Sequence, residues 1–478
     1  MNNNRSFGRS ALVALLVGSA ALSGCNLAPS YVRPVGAVPA TLPQDRVYPA
    51  AASDARDITR IGWRDFFIDA RLRQVIQRGL DKNQDIALAA ANVLQARAQY
   101  RVQRADLVPS TTASGSATFT NNLGGGGSTT GASTSSNIEI YSANIGFSAF
   151  EIDLFGRIRN LSKAALEQYF ATDEAQRSTR ISLIAEIATA WLTIAADEDQ
   201  LALSQQTLST FKQTLDLTSA QFRIGVASEL ESRQAETNYQ SARNDIAVLR
   251  TKIARDRNAL DLLVGAPVEQ DLLPTALGDT QAAIDVLPAD LSSTVLLRRP
   301  DVLRAEHLLI AQNANIGAAR AAFFPSISLT ALVGTVGTSL GGLFGAGSFT
   351  YTATPGIALP LFDGGRNKGN LDYARASQQA AVATYQKTIQ TAFREVADAL
   401  AQRGTIGEQI AAQTARVSAA QVAAKLSDAR YRAGVDSFLT SLDAQRTAYA
   451  AQQQLVATRF TRGGNLVELY RSLGGGLN

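Results

Sequence analysis

A chain of 478 residues with one cysteine (Cys25), one histidine (His307) and one methionine (Met1) has little soft-ligand chemistry to offer. It permits no intrachain disulfide and no cysteine or histidine metal cluster, and its serine- and threonine-rich runs lack a nearby histidine to activate them. The formal charge of +4 includes Arg5 and Arg9 and is +2 without them, so the basic balance does not point to nucleic acid.

In chain order, residues 1–24 read as an address: Arg5 and Arg9, then the apolar run 11–21, then Leu22-Ser23-Gly24. The run is too short to span a bilayer comfortably. With Cys25 directly after it, the junction resembles a bacterial lipobox, which implies a diacylglyceryl lipid on Cys25. Asn26 stands where an aspartate would hold a lipoprotein at the inner membrane, so outer-membrane sorting is expected. Residues 25–64, with prolines at 29, 34, 39, 43 and 49, read as a lipid-anchored extended segment. No stretch beyond the leader reads as a helix through lipid.

Helical patterning starts near Asp65, breaks at Lys82-Asn83 and runs to about Leu107, where Pro109 stops it. Strands are predicted at about 111–120, 138–153, 326–335 and 349–361, each with apolar side chains alternating against Ser, Thr, Asn and Gly. Uncharged alternating strands of this length are the signature of an outer-membrane barrel. The stretches 121–137 and 336–348 between them are glycine- and serine-rich loops. Within 150–154 the alternation switches phase, Phe150, Ile152 and Leu154 against Glu151 and Asp153. Four strands cannot close a barrel, since about eight are needed. Three copies would supply twelve, although this arithmetic alone also permits a dimer.

Glycine at Phe155-Gly156-Arg157 and Asp363-Gly364-Gly365-Arg366 marks the passage from strand to helix. A proline-free stretch follows each, 157–223 and 366–432, predicted as a helix of roughly 100 Å. Shorter helices are predicted over about 228–264 and 437–473. In the first of these, Tyr239, Ile246, Ile253 and Leu260 repeat every seven residues with Ala242, Leu249 and Leu263, a coiled-coil seam that only Asp256 interrupts.

The whole pattern occurs twice. Segment 85–110 returns as 301–326, both closing on Pro-Ser, and Gly225, Ser228, Leu230 and Ser232 return in register as Gly434, Ser437, Leu439 and Ser441. Such self-similarity indicates one duplicated architecture, with repeats over 65–275 and 276–473 and a tail over 474–478. Gly225 and Gly434 sit where each long helix reverses into a short one.

The lipobox, Trp63-Arg-Asp-Phe-Phe, Glu151-Ile-Asp-Leu-Phe-Gly-Arg, Leu296-Leu-Arg-Arg-Pro-Asp, the run 313–326 and Leu469-Tyr-Arg-Ser-Leu-Gly-Gly-Gly resemble one family across the mature chain. It is the outer membrane factor family of TolC/OprM-type efflux ducts, in its lipoprotein (NodT-type) branch. The resemblance implies a homotrimer: a twelve-stranded β-barrel in the outer membrane continuous with a long periplasmic α-helical barrel of coiled-coil type. It further implies a passive duct without enzymatic activity. Its partners would be a periplasmic membrane-fusion adaptor, an inner-membrane resistance-nodulation-division pump and outer-membrane lipid, and its cargo drugs or other small toxic solutes. No cofactor or metal is expected beyond the lipid on Cys25.

A duct needs a constriction, and the second hairpin tip, 431–446, is the natural place for one. Leu439, Asp443 and Arg446 stand at i, i+4 and i+7 and share a helix face. Threefold symmetry would turn that face into a leucine ring beside rings of opposite charge. In the family the matching positions line the constriction, and Tyr431 and Arg432 correspond to residues that latch neighbouring helices. Glu229, Glu231 and Glu236 offer acidic partners near the first tip. Two other readings fit parts of the pattern: a type I secretion duct for polypeptides, and a lipid-anchored trimeric coiled-coil stalk without transport.

Overall fold

The computed structural model describes residues 26–43, 47–48, 61–122, 136–277, 283 and 292–475, the side chains of 121–122 and 136–137 excepted. The leader, Cys25, most of the glycine-rich loop after the first strand and residues 476–478 of the tail lie outside the described residues. Helices α1 (Trp63–Phe66), α2 (Ala70–Lys82) and α3 (Gln84–Ala105) precede strands β1 (Thr112–Asn122) and β2 (Ser136–Ile152). Helices α4 (Arg157–Arg223) and α5 (Glu229–Val264) complete the first half. The second half runs α6 (Pro300–Ala321), β3 (Ser326–Gly337), β4 (Phe349–Ala358), α7 (Arg366–Arg432) and α8 (Phe438–Ser472).

The long helices begin and end where the glycines and the absence of proline placed them. The break at Asn83 is a helix start. Its side-chain oxygen accepts from Asp85 N and Ile86 N at 2.8 and 3.0 Å, while its amide donates to the Leu263 carbonyl at 2.8 Å. Strand β4 stops at Ala358 rather than near 361, because its partner runs out there: Ala358 pairs with Ser326, the first residue of β3.

By contacts the chain divides into two units, each drawing on both halves. The strand unit comprises residues 26–34, Val93–Thr172 and Ala305–Thr384. Its sheet runs β1-β2-β3-β4, antiparallel throughout, with β1 and β4 as open edges. Register carries the apolar residues across one face: Ile145 opposes Val333, which opposes Tyr351, and Ile152 opposes Ile327, which opposes Ile357. That face is bare, with Phe119, Phe349, Tyr351 and Ile357 all exposed. On the other face small polar groups meet, as in the 2.8 Å contact between Ser116 Oγ and Ser142 Oγ.

The phase switch has a structural cause. Pairing of β2 with β3 shifts between Phe147 and Phe150, a β-bulge in which Ala149 takes φ 53° and donates its N–H to Thr330 Oγ1 at 3.0 Å. One extra residue returns Phe150 and Ile152 to the apolar face, where Phe150 opposes Leu329.

Where strand becomes helix, the Glu151-to-Arg157 motif staples the turn. Arg157 Nε donates to Glu151 Oε1 at 2.8 Å, Arg159 N donates to Asp153 Oδ2 at 2.9 Å, and Phe155 stacks on Phe324. The N-terminal segment lies along α6. Arg33 grips Glu306 through two hydrogen bonds of 2.8 Å, Asn313 donates to the Pro29 carbonyl at 2.7 Å, and Arg320 donates to the Leu27 carbonyl at 3.1 Å. Gly317 makes room, since a Cβ there would stand 2.7 Å from the Ala28 methyl. His307 sits in the same unit with Nδ1 2.7 Å from Glu167 Oε2 and Phe170 beside its ring.

The helical unit comprises Val35–Asn92 (described from 35–43, 47–48 and 61 on), Asp173–Arg304 (described residues) and the chain from Tyr385 to 475. Phe66, Phe67 and Tyr470 form a buried aromatic cluster in it, with Phe66 stacked on Tyr470 at 4.6 Å; each buried ring contributes on the order of 1.5–3 kcal/mol. Arg299 of the Arg-Pro-Asp motif is buried. It donates to Asp301 at 2.7 Å, to Glu395 at 2.8 Å and to the Ser472 carbonyl, which ties the motif to the chain's closing helix. Contrary to the expectation of no such helix, α4 contains a stretch long and apolar enough to cross a membrane, but 61% of it is buried. Ile184, Ile187, Trp191 and Ile194 are among the buried side chains of α4.

Candidate functional site at the hairpin tips

Both reversals use the same backbone device. Helix α4 ends on Gly225 (φ 79°), with Val226 N bonded to the Gln221 carbonyl and Gly225 N to the Phe222 carbonyl. Helix α7 ends on Gly434 (φ 73°), with Val435 N bonded to Arg430 O and Gly434 N to Tyr431 O. These paired bonds satisfy the last carbonyls of each helix, and glycine takes the left-handed conformation without a Cβ penalty. Serine then restarts each helix. Ser228 and Glu231 form a reciprocal capping box on α5, while Ser437 accepts from Thr440 N on α8.

The side chains on this shared backbone differ. Tyr431 Oη donates to Gln221 Oε1 at 2.8 Å, joining the second hairpin to α4 of the first. Its ring leans on Phe438, which is buried with Ala235, Leu442 and Leu215. Burial, and then the charges of Glu231 and Asp428, raise the Tyr431 hydroxyl above its ordinary value, so it remains a donor at neutral pH. Arg432 bonds Asp428 on its own helix at 2.8 Å, so within one chain it braces α7 instead of reaching a neighbour.

Arg446 does reach across. Its Nε donates to Asn238 Oδ1 on α5 at 2.8 Å, and Asn238 is buried. None of the three glutamates near the first tip meets it: Glu231 is spent in the capping box, and Glu229 and Glu236 flank Arg233 at 3.4 and 2.9 Å. Asp443 is exposed and makes no hydrogen bond or ion pair among the described residues, and Leu439 is 59% exposed. Of the sequence-predicted set, Tyr431 and Arg446 are therefore engaged between hairpins, Arg432 within its helix, and Leu439 and Asp443 stand open to solvent.

A further crosslink escaped the sequence reading. Tyr449, one turn beyond Arg446, donates to Asp245 Oδ2 at 3.0 Å and lies 2.8 Å from Ser204 Oγ, so it touches α5 and α4 together. Asn238 and Asp245 are seven residues apart on α5, which is the heptad spacing. That spacing was the signal available for pairing them with Arg446 and Tyr449 on one face of α8. Chemically the tip offers a line of polar latches set on an apolar seam. Each latch is a side-chain hydrogen bond between the two hairpins.

The family model described as "Outer membrane efflux protein" matches this chain twice, over residues 75–266 and 291–475. The chain is 44% identical over 465 residues to the probable efflux pump outer membrane protein TtgC of Pseudomonas putida, covering 97% of this chain and 95% of that one. It is 39% identical over 458 residues to the cation efflux system protein CusC of Escherichia coli O157:H7, covering 95% and 96%. The open-state crystal structure of the MtrE outer membrane channel of Neisseria gonorrhoeae superposes with a TM-score of 0.84 at 36% identity, covering 95% of this chain and 99% of that one.

Proposed function

The chain belongs to the outer membrane efflux protein family, and on that premise we propose that it works as a gated trimeric duct of a tripartite efflux pump, in the family's lipoprotein branch. One observation carries the need for several copies, and the family supports three of them. The four-stranded sheet has a bare apolar face that suits contact with lipid and two open edges, whose unpaired backbone groups are not stable in a bilayer until further strands close the ring. Three copies pairing β4 of one with β1 of the next would supply twelve strands. The long helices α4 and α7, with α5 and α8 beside them, would line the periplasmic passage. Cys25 carries the lipid in this reading. The clamp of residues 27–33 on α6 would hold that anchor close to the strand unit.

The constriction is formed by Leu439, Asp443 and Arg446 of each copy, with Tyr431 and Arg432 bracing it. The open positions of Leu439 and Asp443 support this, because an unpartnered leucine and carboxylate are what a symmetric ring requires. Docking of the adaptor falls to the tips themselves, where Ile224, Val226, Leu230 and Val435 are exposed apolar side chains. The inner-membrane pump, of the resistance-nodulation-division class, selects the cargo. Relatives named for antibiotic, toluene and cation efflux support small toxic solutes over polypeptides. The duct performs no chemistry and carries no cofactor.

The test is complementation. In a bacterium lacking its own duct but producing the cognate adaptor and pump, the chain is expected to restore tolerance to antibiotics and aromatic solvents. A trimer present in the outer membrane that leaves tolerance and solute accumulation unchanged would remove the efflux assignment. A Cys25→Ser variant under its native leader, compared by mass spectrometry of the N-terminal peptide, tests the lipid.

A further inference from the structure

The seam of α5 runs through Ile246, Leu249, Ile253 and Leu260, all buried, and is broken once by Asp256. Facing that break from α4 is Asp197, which is only 3% exposed. The Asp197 carboxyl acts directly on that of Asp256, and Oδ2 of each is buried without a hydrogen-bond partner among the described residues. Two carboxylates in contact can only accept. A proton on either one turns it into a donor to the other and satisfies both.

The cations nearby do not suffice for two charges. Lys252, one turn before Asp256, places Nζ 2.6 Å from Asp197 Oδ1 and is the one ammonium at the pair among the described residues. Arg257, next along α5, is taken by Glu198 of α4 at 3.1 Å and also donates to Gln270. Asp199 on α4 accepts from Leu277 N at 3.0 Å and feels the charge of Arg459 on α8. One lysine thus serves two acids inside a helical seam.

We propose that Asp197 and Asp256 form a proton-sharing clasp between α4 and α5, closed when one acid is protonated and loaded with like charge when both are ionised. Burial first, then the contact with Asp197, push the Asp256 carboxyl up to about 6, with Lys252 opposing. The proton is therefore held in the folded chain at pH values where the unfolded chain has lost it. Its stabilising contribution is fully present below the unfolded value of 3.8 and is lost as pH rises through about 6. Mild acid tightens this stretch of the α4–α5 wall, and neutral pH loosens it.

Hydrogen exchange and thermal unfolding of the full-length detergent-solubilised protein test this at pH 5 and pH 7.5. After correction for intrinsic rates, amides around 197 and 256 of the wild type are expected to exchange about tenfold faster at pH 7.5, the change carried by one proton over roughly one pH unit. Asp256→Asn supplies a permanent amide donor to Asp197. It is expected to melt higher than wild type at pH 7.5 and to lose the local pH dependence. Asp256→Leu, which completes the apolar seam, should be equally flat and guards against a misfolding artefact in the first variant. A wild type flat between the two pH values, or an Asp256→Asn variant with the same slope as wild type, overturns the clasp. Neither readout depends on transport.

Discussion

The two hairpin tips are the same turn carrying different chemistry. Gly225 and Gly434 close identical hydrogen-bonded reversals, and Ser228 and Ser437 restart the helices. In register, however, Glu229 of the first tip becomes the buried Phe438 of the second, Gln234 becomes Asp443, and Thr237 becomes Arg446. The first tip keeps its charges in surface pairs around Arg233, whereas the second sends Tyr431, Arg446 and Tyr449 across to the first hairpin. Duplication thus preserved the backbone that makes a tip, and the latches were built on one copy only. In the proposed gate, opening would move the second hairpin while the first remains a fixed wall.

Substitutions at matched positions sharpen that contrast. The largest difference is expected for Phe438→Ala against Glu229→Ala: the first leaves a cavity among Ala235, Leu215 and Leu442 and should cost about 3–5 kcal/mol of local stability, while the second should be near neutral. Chemical denaturation of the purified protein checks this, and equal costs would break the asymmetry. Alanine at Gly225 or Gly434 should cost roughly 1–2 kcal/mol at both sites alike, since φ is 79° and 73° and no atom lies within 4 Å of either added Cβ. An unequal result would show that the backbones are less alike than their geometry. Tyr431→Phe removes one hydrogen bond and keeps the ring, so about 1 kcal/mol should be lost. That loss should fall to nothing in a Gln221→Ala background, as read by a double-mutant cycle.

The smallest effect belongs to the solvent-facing pair of Arg430 and Asp436, in contact at 2.6 and 2.8 Å. The Arg430 hydrogen bonds hold the Asp436 carboxyl below its ordinary range. Its slight stabilisation is present above pH 3.8 and is lost as pH falls through the depressed value. Asp436→Asn should therefore flatten a shallow acid slope and leave stability at neutral pH almost unchanged. This slope has the opposite sign to that of the Asp256 clasp.

What was legible in the sequence follows from which features are local. Helix ends at Arg157, Arg223, Arg366 and Arg432 could be read because glycine and the lack of proline act within a residue or two. The α5 seam could be read because burial repeats with the helix period, and the phase change at Phe150 was visible although its cause, the bulge at Ala149, was not. Partners across helices were not legible. Arg446 chooses the amide of Asn238 over three nearby glutamates because helix rotation sets which side chains face one another, and a heptad fixes the buried stripe without fixing that angle to within one residue. The resemblance motifs turned out to be staples: Arg299 on Asp301 and Glu395, Phe66 on Tyr470, Glu151 on Arg157.

Single-channel conductance in a planar bilayer tests the central claim most directly, with the wild-type protein beside Asp443→Ala/Arg446→Ala. The double variant removes the one latch to Asn238 and one charge from each proposed ring while leaving Phe438 and Tyr431 packed. Small, mostly closed events that grow severalfold in the variant are the predicted result. Equal conductance from two preparations shown to be inserted and trimeric would contradict a gate at the second tip.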